Sequence, residues 1–220
     1  VGIVVAIDGP AGAGKSTVSR QVADQLGFLL VDTGAIYRSA ALVALRRGLV
    51  TEAEIAGALQ GLELRFEEAR VLLGEEDVSG LIRTPEMSKH ASVVSQMPQV
   101  RTALLDLQRR AARLHARGAV VEGRDIGTVV FPDAETKIFL TASVDERARR
   151  RTEELAQRGH HTSLAEVRAE IEERDQRDSQ RAVAPLKPAP DAAIVDTTGR
   201  PIEEVVSEIV GLVRASERRA

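Results

Sequence analysis

The chain opens with an almost unbroken apolar run, Gly2 to Ile7, rich in β-branched residues. Such a run predicts a strand buried on both faces, as in a parallel sheet. After a glycine-rich turn, Val18, Val22 and Leu26 recur at i, i+4 and i+8, which predicts a helix from Lys15 to about Leu26. Gly27 is suited to close it. Phe28 to Val31 reads as a second buried strand and Tyr37 to Arg47 as a helix. Ala119 to Val121, Lys137 to Leu140 and Ala193 to Val195 repeat the buried-strand pattern, with helical stretches between them. A last helix starts near Pro201, a residue that fits a first helical turn. Strand and helix alternating at this spacing imply βαβ units around a parallel sheet.

One stretch breaks that rhythm. Leu62 to Phe66 alternates with period two, and Glu67-Glu68-Ala69 and Gly74 to Val78 flank the short run Arg70 to Leu73. Two or three short antiparallel strands are expected there, as a small module set into a doubly wound domain. Pro85 to Arg117 reads mostly as helix, broken near Pro98. Ser143 to Gln180 is charged and helical, interrupted at Gly159-His160-His161, where both histidines are expected at the surface. Pro185, Pro188 and Pro190 call for an extended connection into the final strand. No internal repeat is visible.

Composition then removes whole classes of function. In 220 residues, 30 basic side chains face 33 acidic ones, a net charge of −3, and aromatics are 2%. That lacks the electrostatic footprint and the stacking platforms of a nucleic-acid binder. With no cysteine, a disulfide scaffold, Cys-ligated zinc and a thiol nucleophile are excluded, which fits a reducing, cytoplasmic setting. No apolar run of about 18 residues exists to span a membrane, and no signal peptide is visible. The missing initiator Met suggests that the numbering starts just inside the gene product. All the basic residues except Lys15, Lys89, Lys137 and Lys187 are arginine. Genome composition accounts for such a skew, and so does a need to grip many phosphate oxygens, which the guanidinium fork matches in pairs.

The chemistry starts at Gly9-Pro10-Ala11-Gly12-Ala13-Gly14-Lys15-Ser16, which fits G-x-x-x-x-G-K-[ST] between a buried strand and a helix. Backbone N–H groups of such a loop wrap phosphate oxygens, and the helix N-terminus adds its dipole. Lys15 is placed to neutralise β and γ oxygens and the Ser16 hydroxyl to ligate Mg²⁺. ATP is the expected donor. The loop says nothing about the acceptor. A guanine-reading Asn-Lys-x-Asp element is missing, which argues against a GTPase, and nothing suggests an oligomeric motor. A small-molecule kinase needs a second set of cations for the acceptor, and arginines are present for it. Arg38 follows the second strand, Arg124 the third, and a late helix carries Arg174, Arg177 and Arg181 around Asp178. Spacings of three and four put these on one helical face. Singly, each such arginine is an ordinary solvated charge that Glu170, Glu173 or Asp175 could pair; jointly they point to anion binding.

Gly9 to Thr17, Asp32-Thr33-Gly34-Ala35-Ile36-Tyr37-Arg38, Glu122-Gly123-Arg124-Asp125 through Pro132, and Glu173-Arg174-Asp175 through Leu186 together closely resemble the bacterial cytidylate kinases. The resemblance runs from the first strand to the last helix. It implies an α/β P-loop kinase fold: a doubly wound parallel sheet with a small inserted antiparallel module and a helical lid. Residues 1–33, 118–145 and 182–220 would form the core of a single domain, 34–117 an acceptor-binding insertion, and 146–181 the lid and following helix. The implied reaction is transfer of the ATP γ-phosphoryl group to CMP or dCMP, with Mg²⁺, by a cytoplasmic monomer. By the same likeness Gly9 to Thr17 hold the donor, and Ser92, Arg101 and Asp125 hold the cytosine edge. Thr33, Arg174 and Asp178 lie near the sugar, Arg38, Arg124 and Arg181 hold the acceptor phosphate, and Tyr37 lines the acceptor site. Lys15, Arg124 and Arg181 would act on the transferring group. The family often has Ser at Thr33 and Asp at Glu122, so the sugar contact and any part of Glu122 in holding Mg²⁺ stay open.

Such a transfer has a loose transition state, so alignment and charge neutralisation are the main tasks, and water must be shut out. The lid is expected between Arg147 and about His161, with Arg149, Arg150, Arg151 and Arg158 available to reach phosphates; an ordinary solvated helix reads the same way. Two other readings are a P-loop kinase for a different nucleotide or metabolite, and a regulatory module that binds ATP without turnover.

Overall fold

A computed structural model describes residues 2–67, 70–157 and 159–218. The chain divides into two compact units, one of residues 1–30 and 112–220, the other of 31–111.

In the first unit the opening apolar run forms β1 (Ile3–Asp8), followed by α1 (Lys15–Leu26), which Gly27 ends in the left-handed conformation. β2 (Leu29–Asp32) leads into the second unit. The chain returns as β6 (Gly118–Gly123), a five-residue π-helical turn (Ile126–Val130) and β7 (Thr136–Thr141). Then come α6 (Val144–Gln157), α7 (Leu164–Ser179), β8 (Ala193–Asp196) and α8 (Ile202–Glu217). Strand order in the sheet is β2-β6-β1-β7-β8. β1 is central, pairing in parallel with β6 from Ile3 against Gly118 and with β7 from Val5 against Thr136. Val5 and Ile7 are wholly buried between sheet and helices with Val18, Val22, Ile138, Leu140, Val206 and Ile209. Each such side chain contributes about 1.5–3 kcal/mol on leaving water. This packing fixes the rigid platform from which the phosphate loop leaves. α6 and α7 join through Ala148, Leu155, Val167 and Ile171.

The second unit starts with α2 (Thr33–Arg47), four residues earlier than the hydrophobic period predicts. The cause is Asp32, whose carboxylate accepts from the Ala35 N–H and caps the helix. α3 (Glu52–Ala58) has no counterpart in the periodicity analysis, although Thr51 and Glu54 form a capping box there. The expected antiparallel module is present as β3 (Leu64–Glu67), β4 (Arg70–Leu73) and β5 (Glu76–Asp77); Glu68 and Ala69 lie outside the described residues. α4 (Pro85–Val94) and α5 (Pro98–Ala112) follow, divided at Pro98 as expected. Ile36, Ala40, Ile82, Val100 and Leu104 centre a separate core. Among the described residues no helix is long and apolar enough to cross a membrane.

Candidate active site

The loop between β1 and α1 has the geometry of a phosphate cradle. Gly9 adopts φ 148°, and a Cβ there would lie 2.1 Å from the Leu140 carbonyl oxygen of β7, so no side chain fits. Gly14 is the N-cap of α1, and Val18 N–H donates to its carbonyl to close the first turn. The N–H groups at that end have no partners within the helix and face outward with the positive end of its dipole. Lys15 is buried and donates from Nζ to the Pro10 carbonyl at 2.6 Å. Burial, followed by the charge of nearby Arg124, holds its pKa well below the ordinary lysine value. Ser16 and Thr17 are exposed beside it. A cavity of about 390 Å³ opens next to the loop, lined by Thr17, Val18, Arg150, Thr197, Ile202 and Val205 among others.

Within the same unit three arginines gather on one carboxylate of α7. Arg124, just past β6, donates from Nε to Asp178 Oδ2 at 3.0 Å and from Nη1 to the Gly123 carbonyl. Arg174 Nε lies 4.0 Å from the same Asp178 oxygen, and Arg181 Nη2 lies 3.8 Å from the other. Burial alone would raise the Asp178 pKa, but Arg124, Arg174 and Arg181 outweigh it and keep the carboxyl below its usual value. Arg177 is not part of this face: its nearest acid is Glu173, at 3.8 Å. Asp175 likewise turns away, to Arg147. Glu122 and Asp125 are buried, and Glu122 and Asp178 are among the acids that act electrostatically on Lys15.

Asp8, the last residue of β1, is a participant that the sequence motifs do not single out. Its two carboxylate oxygens accept from the Ile126 and Gly127 N–H groups, each at 2.8 Å. It thereby ties the turn after Arg124 and Asp125 to the strand that leads into the P-loop. Burial pushes its pKa up to about 6, with Asp125 adding to the rise, against the lowering from the two N–H bonds and Lys15. An acid at the end of a buried strand directly before Gly9 was the available clue.

The second unit holds the other predicted residues. Thr33 opens α2 and is buried. Arg38 donates from Nη2 to Asp32 Oδ2 at 2.8 Å, so the α2 N-cap also positions this guanidinium. Arg101 on α5 lies over the Tyr37 ring, 5.6 Å from its centroid, and donates from Nη1 to the Ser95 carbonyl at 2.9 Å. Ser92 on α4 is buried, and its Oγ has no hydrogen-bond partner among the described residues.

Of the lid arginines, Arg149 pairs with Glu146 and Glu153, Arg150 with Glu146 and the Thr197 hydroxyl and carbonyl, and Arg151 with Glu154. Arg149 and Arg150 line the cavity beside the P-loop. Arg158 lies outside the described residues. His160 and His161 are exposed, as expected.

Residues 5–215 match the family model for cytidylate kinase. The chain is 52% identical over 213 residues to a cytidylate kinase of Desulfitobacterium hafniense (strain Y51), covering 94% of this chain and 91% of that protein. It is 51% identical to a cytidylate kinase of Pelotomaculum thermopropionicum, with 97% of each chain covered. In fold it is similar to the crystal structure of an uncharacterized protein from Eubacterium ventriosum, with a TM-score of 0.57 at 14% identity over 98% of this chain and 99% of that one. With a phosphate cradle at the head of α1, a separate arginine face gathered on Asp178 and this breadth of sequence agreement, the chain belongs to the cytidylate kinase family.

Proposed function

We propose that the protein transfers the γ-phosphoryl group of ATP to CMP or dCMP, giving ADP and CDP or dCDP. The bond from the γ-phosphorus to the β–γ bridging oxygen breaks as a bond forms to an oxygen of the acceptor phosphate. That oxygen is already anionic, so no general base is required. The observation that carries this reading is the pair of anion-ready devices in the first unit. One is the cradle with Lys15; the other is the Arg124, Arg174 and Arg181 group on Asp178. A protein that only bound ATP would need the first and not the second.

In this reading Gly9 to Thr17 take the donor phosphates, and the cavity beside Thr17 and Ile202 takes the donor base. Arriving phosphates raise the suppressed Lys15 pKa, because negative charge favours the ammonium form. Arg38, Arg124 and Arg181 hold the acceptor phosphate, with Arg124 and Arg181 sharing the transition-state charge with Lys15. Ser92, Arg101 and Asp125 read the cytosine edge; the unpartnered Ser92 Oγ and the Arg101 guanidinium braced on Tyr37 support those roles. Thr33, Arg174 and Asp178 serve the sugar, with residues 31–111 forming the module that receives the acceptor. The donor set also fits Mg²⁺. The Ser16 hydroxyl is exposed at the cradle, and no three acids or histidines form a cage among the described residues. That suits an ion held largely by phosphates and water, and the bound ion would neutralise β and γ oxygens. A cytoplasmic, monomeric enzyme of small molecules, without nucleic-acid partners, goes with this assignment.

A coupled assay of ADP formation with CMP, dCMP, UMP, AMP and shikimate tests it. Turnover with CMP and dCMP well above the rest is expected. A preference for another acceptor would reassign the substrate, and ATP binding without acceptor-dependent ADP would favour the regulatory module.

A further inference from the structure

α6 begins directly against the phosphate cradle. At Gly12, φ 77°, an added Cβ would lie 3.1 Å from Arg147 Cβ and 3.3 Å from the Arg147 carbonyl oxygen. The Arg147 side chain is only 5% exposed. Its Nε donates to the Ala142 carbonyl at 3.0 Å, just past β7. Its Nη1 donates to the Ala11 carbonyl in the cradle at 3.0 Å and meets Asp175 Oδ2 at 2.6 Å. Asp175 lies on α7, one residue after Arg174 and three before Asp178. One guanidinium therefore bridges the P-loop and the helix that carries the arginine face. Only arginine offers donors in a rigid fork with this spread; a lysine ammonium is a single point. The other Asp175 oxygen, Oδ1, is buried with no hydrogen-bond partner among the described residues, which leaves Arg147 as the counter-charge of that carboxylate.

These contacts have an energetic consequence. If filling the cradle shifts Ala11, the shift must either carry Arg147 and α7 along or break a bond to a buried charge. Breaking one member of such a pair is the costlier route. A helix moves as a unit, so displacement at Asp175 is felt at Arg174 and Asp178. We propose that Arg147 and Asp175 are positioning residues that couple donor binding at the P-loop to acceptor binding at the α7 arginine face. The proposal rests on the assignment of donor and acceptor made above. Coupling of this kind is reciprocal: each ligand tightens the other by the same factor.

Calorimetric titration of CMP, with and without a non-hydrolysable ATP analogue and Mg²⁺, measures that factor directly. In the wild type the analogue should tighten CMP by on the order of tenfold. In R147M and in D175N the ratio should fall toward one, and the double variant should lose no more than either single one, since both remove the same link. A residue of merely structural importance would instead lower the melting temperature and weaken each ligand alone while leaving the ratio intact. R147M strands the half-buried Asp175 carboxylate, so it is paired with thermal melts. D175N removes that charge at constant shape and leaves Arg147 on its two carbonyls, so it carries the test if R147M does not fold. A wild-type ratio near one, or a wild-type ratio retained in folded D175N, overturns the proposal. CMP-dependent ADP formation by the same wild-type preparation is followed in parallel: its absence would sink the substrate assignment, whereas a retained ratio in D175N would sink only the link.

Discussion

The two units handle their buried polar groups with a different emphasis. Around the P-loop, charge is held by charge: Lys15, Arg124, Arg174 and Arg181 cluster with Asp178 and Glu122, and Asp8 grips two backbone N–H groups. In the unit of residues 31–111, the polar side chains are spread over α2, α4 and α5, braced by a ring, a carbonyl and an N-cap, and the Ser39 and Ser92 hydroxyls have no hydrogen-bond partner among the described residues. The first arrangement is preorganised for electrostatic work in a site of low dielectric, where every charge matters. The second suits discrimination, since a few directed hydrogen bonds accept one base and leave buried groups unsatisfied with another. Substitutions of Lys15 or of the arginine group on Asp178 should therefore cause large losses for every acceptor, and those of Ser92 or Arg101 smaller, selective ones.

The largest effect is expected at Lys15. Lys15→Met should lower kcat by about 10²–10³-fold for all acceptors, with the fold intact by circular dichroism. Folded protein with wild-type kcat would remove the cradle from the mechanism. Asp178→Ala comes next, because it releases three arginines at once. If Asp178 chiefly scaffolds them, CMP and dCMP should suffer alike in kcat/KM. If it also binds a sugar hydroxyl, their ratio should move by about tenfold, the equivalent of ~1.5 kcal/mol. Steady-state kinetics with the two acceptors decides between them.

Asp8 sharpens the same contrast through pH. Its carboxyl titrates near 3.8 in the unfolded chain and near 6 when folded. The folded state therefore holds the proton more tightly, and this contribution to stability is complete below pH 3.8 and lost as pH rises through about 6. Over that window it amounts to about 3 kcal/mol. Urea unfolding of the wild type and Asp8→Asn across pH 4–7 should show a difference that varies only within that window; parallel curves would mean that burial does not raise this group. Smallest and most selective is Ser92→Ala, which should reduce kcat/KM for CMP by roughly tenfold and leave the KM for ATP unchanged. Equal losses toward both substrates would make Ser92 a packing residue and erase the division of labour between the units.

How much of the molecule is legible in its sequence depends on the range of the interactions involved. The cradle, the buried strands and the antiparallel module depend on neighbours a few residues apart, so spacing alone exposes them. The first turn of α2 and all of α3 are equally local, but their signals are caps rather than apolar period: Asp32 before Ala35, and Thr51 with Glu54. The site residues that escape sequence reasoning act across the chain. Asp8 meets Ile126 and Gly127, and Arg147 meets Ala11, contacts that exist only once the sheet has assembled. The helical spacing of 174, 178 and 181 is visible, but it cannot say that Arg177 turns to Glu173 and Asp175 to Arg147.

The central place of β1 in the sheet bears on how the protein emerges from the ribosome. Both partners of this strand come late: Ile3 pairs with Gly118, and Val5 with Thr136. β1 therefore has no ladder until Gly118 and Thr136 have been made, and the loop-closure entropy of that wait slows formation of the sheet. The contiguous stretch 31–111, with its own apolar centre, has all its internal contacts available earlier. Synthesis thus offers the module proposed to receive the acceptor first, while the apolar strand that will bear the P-loop stays exposed. That strand is where shielding by a chaperone would matter most during translation.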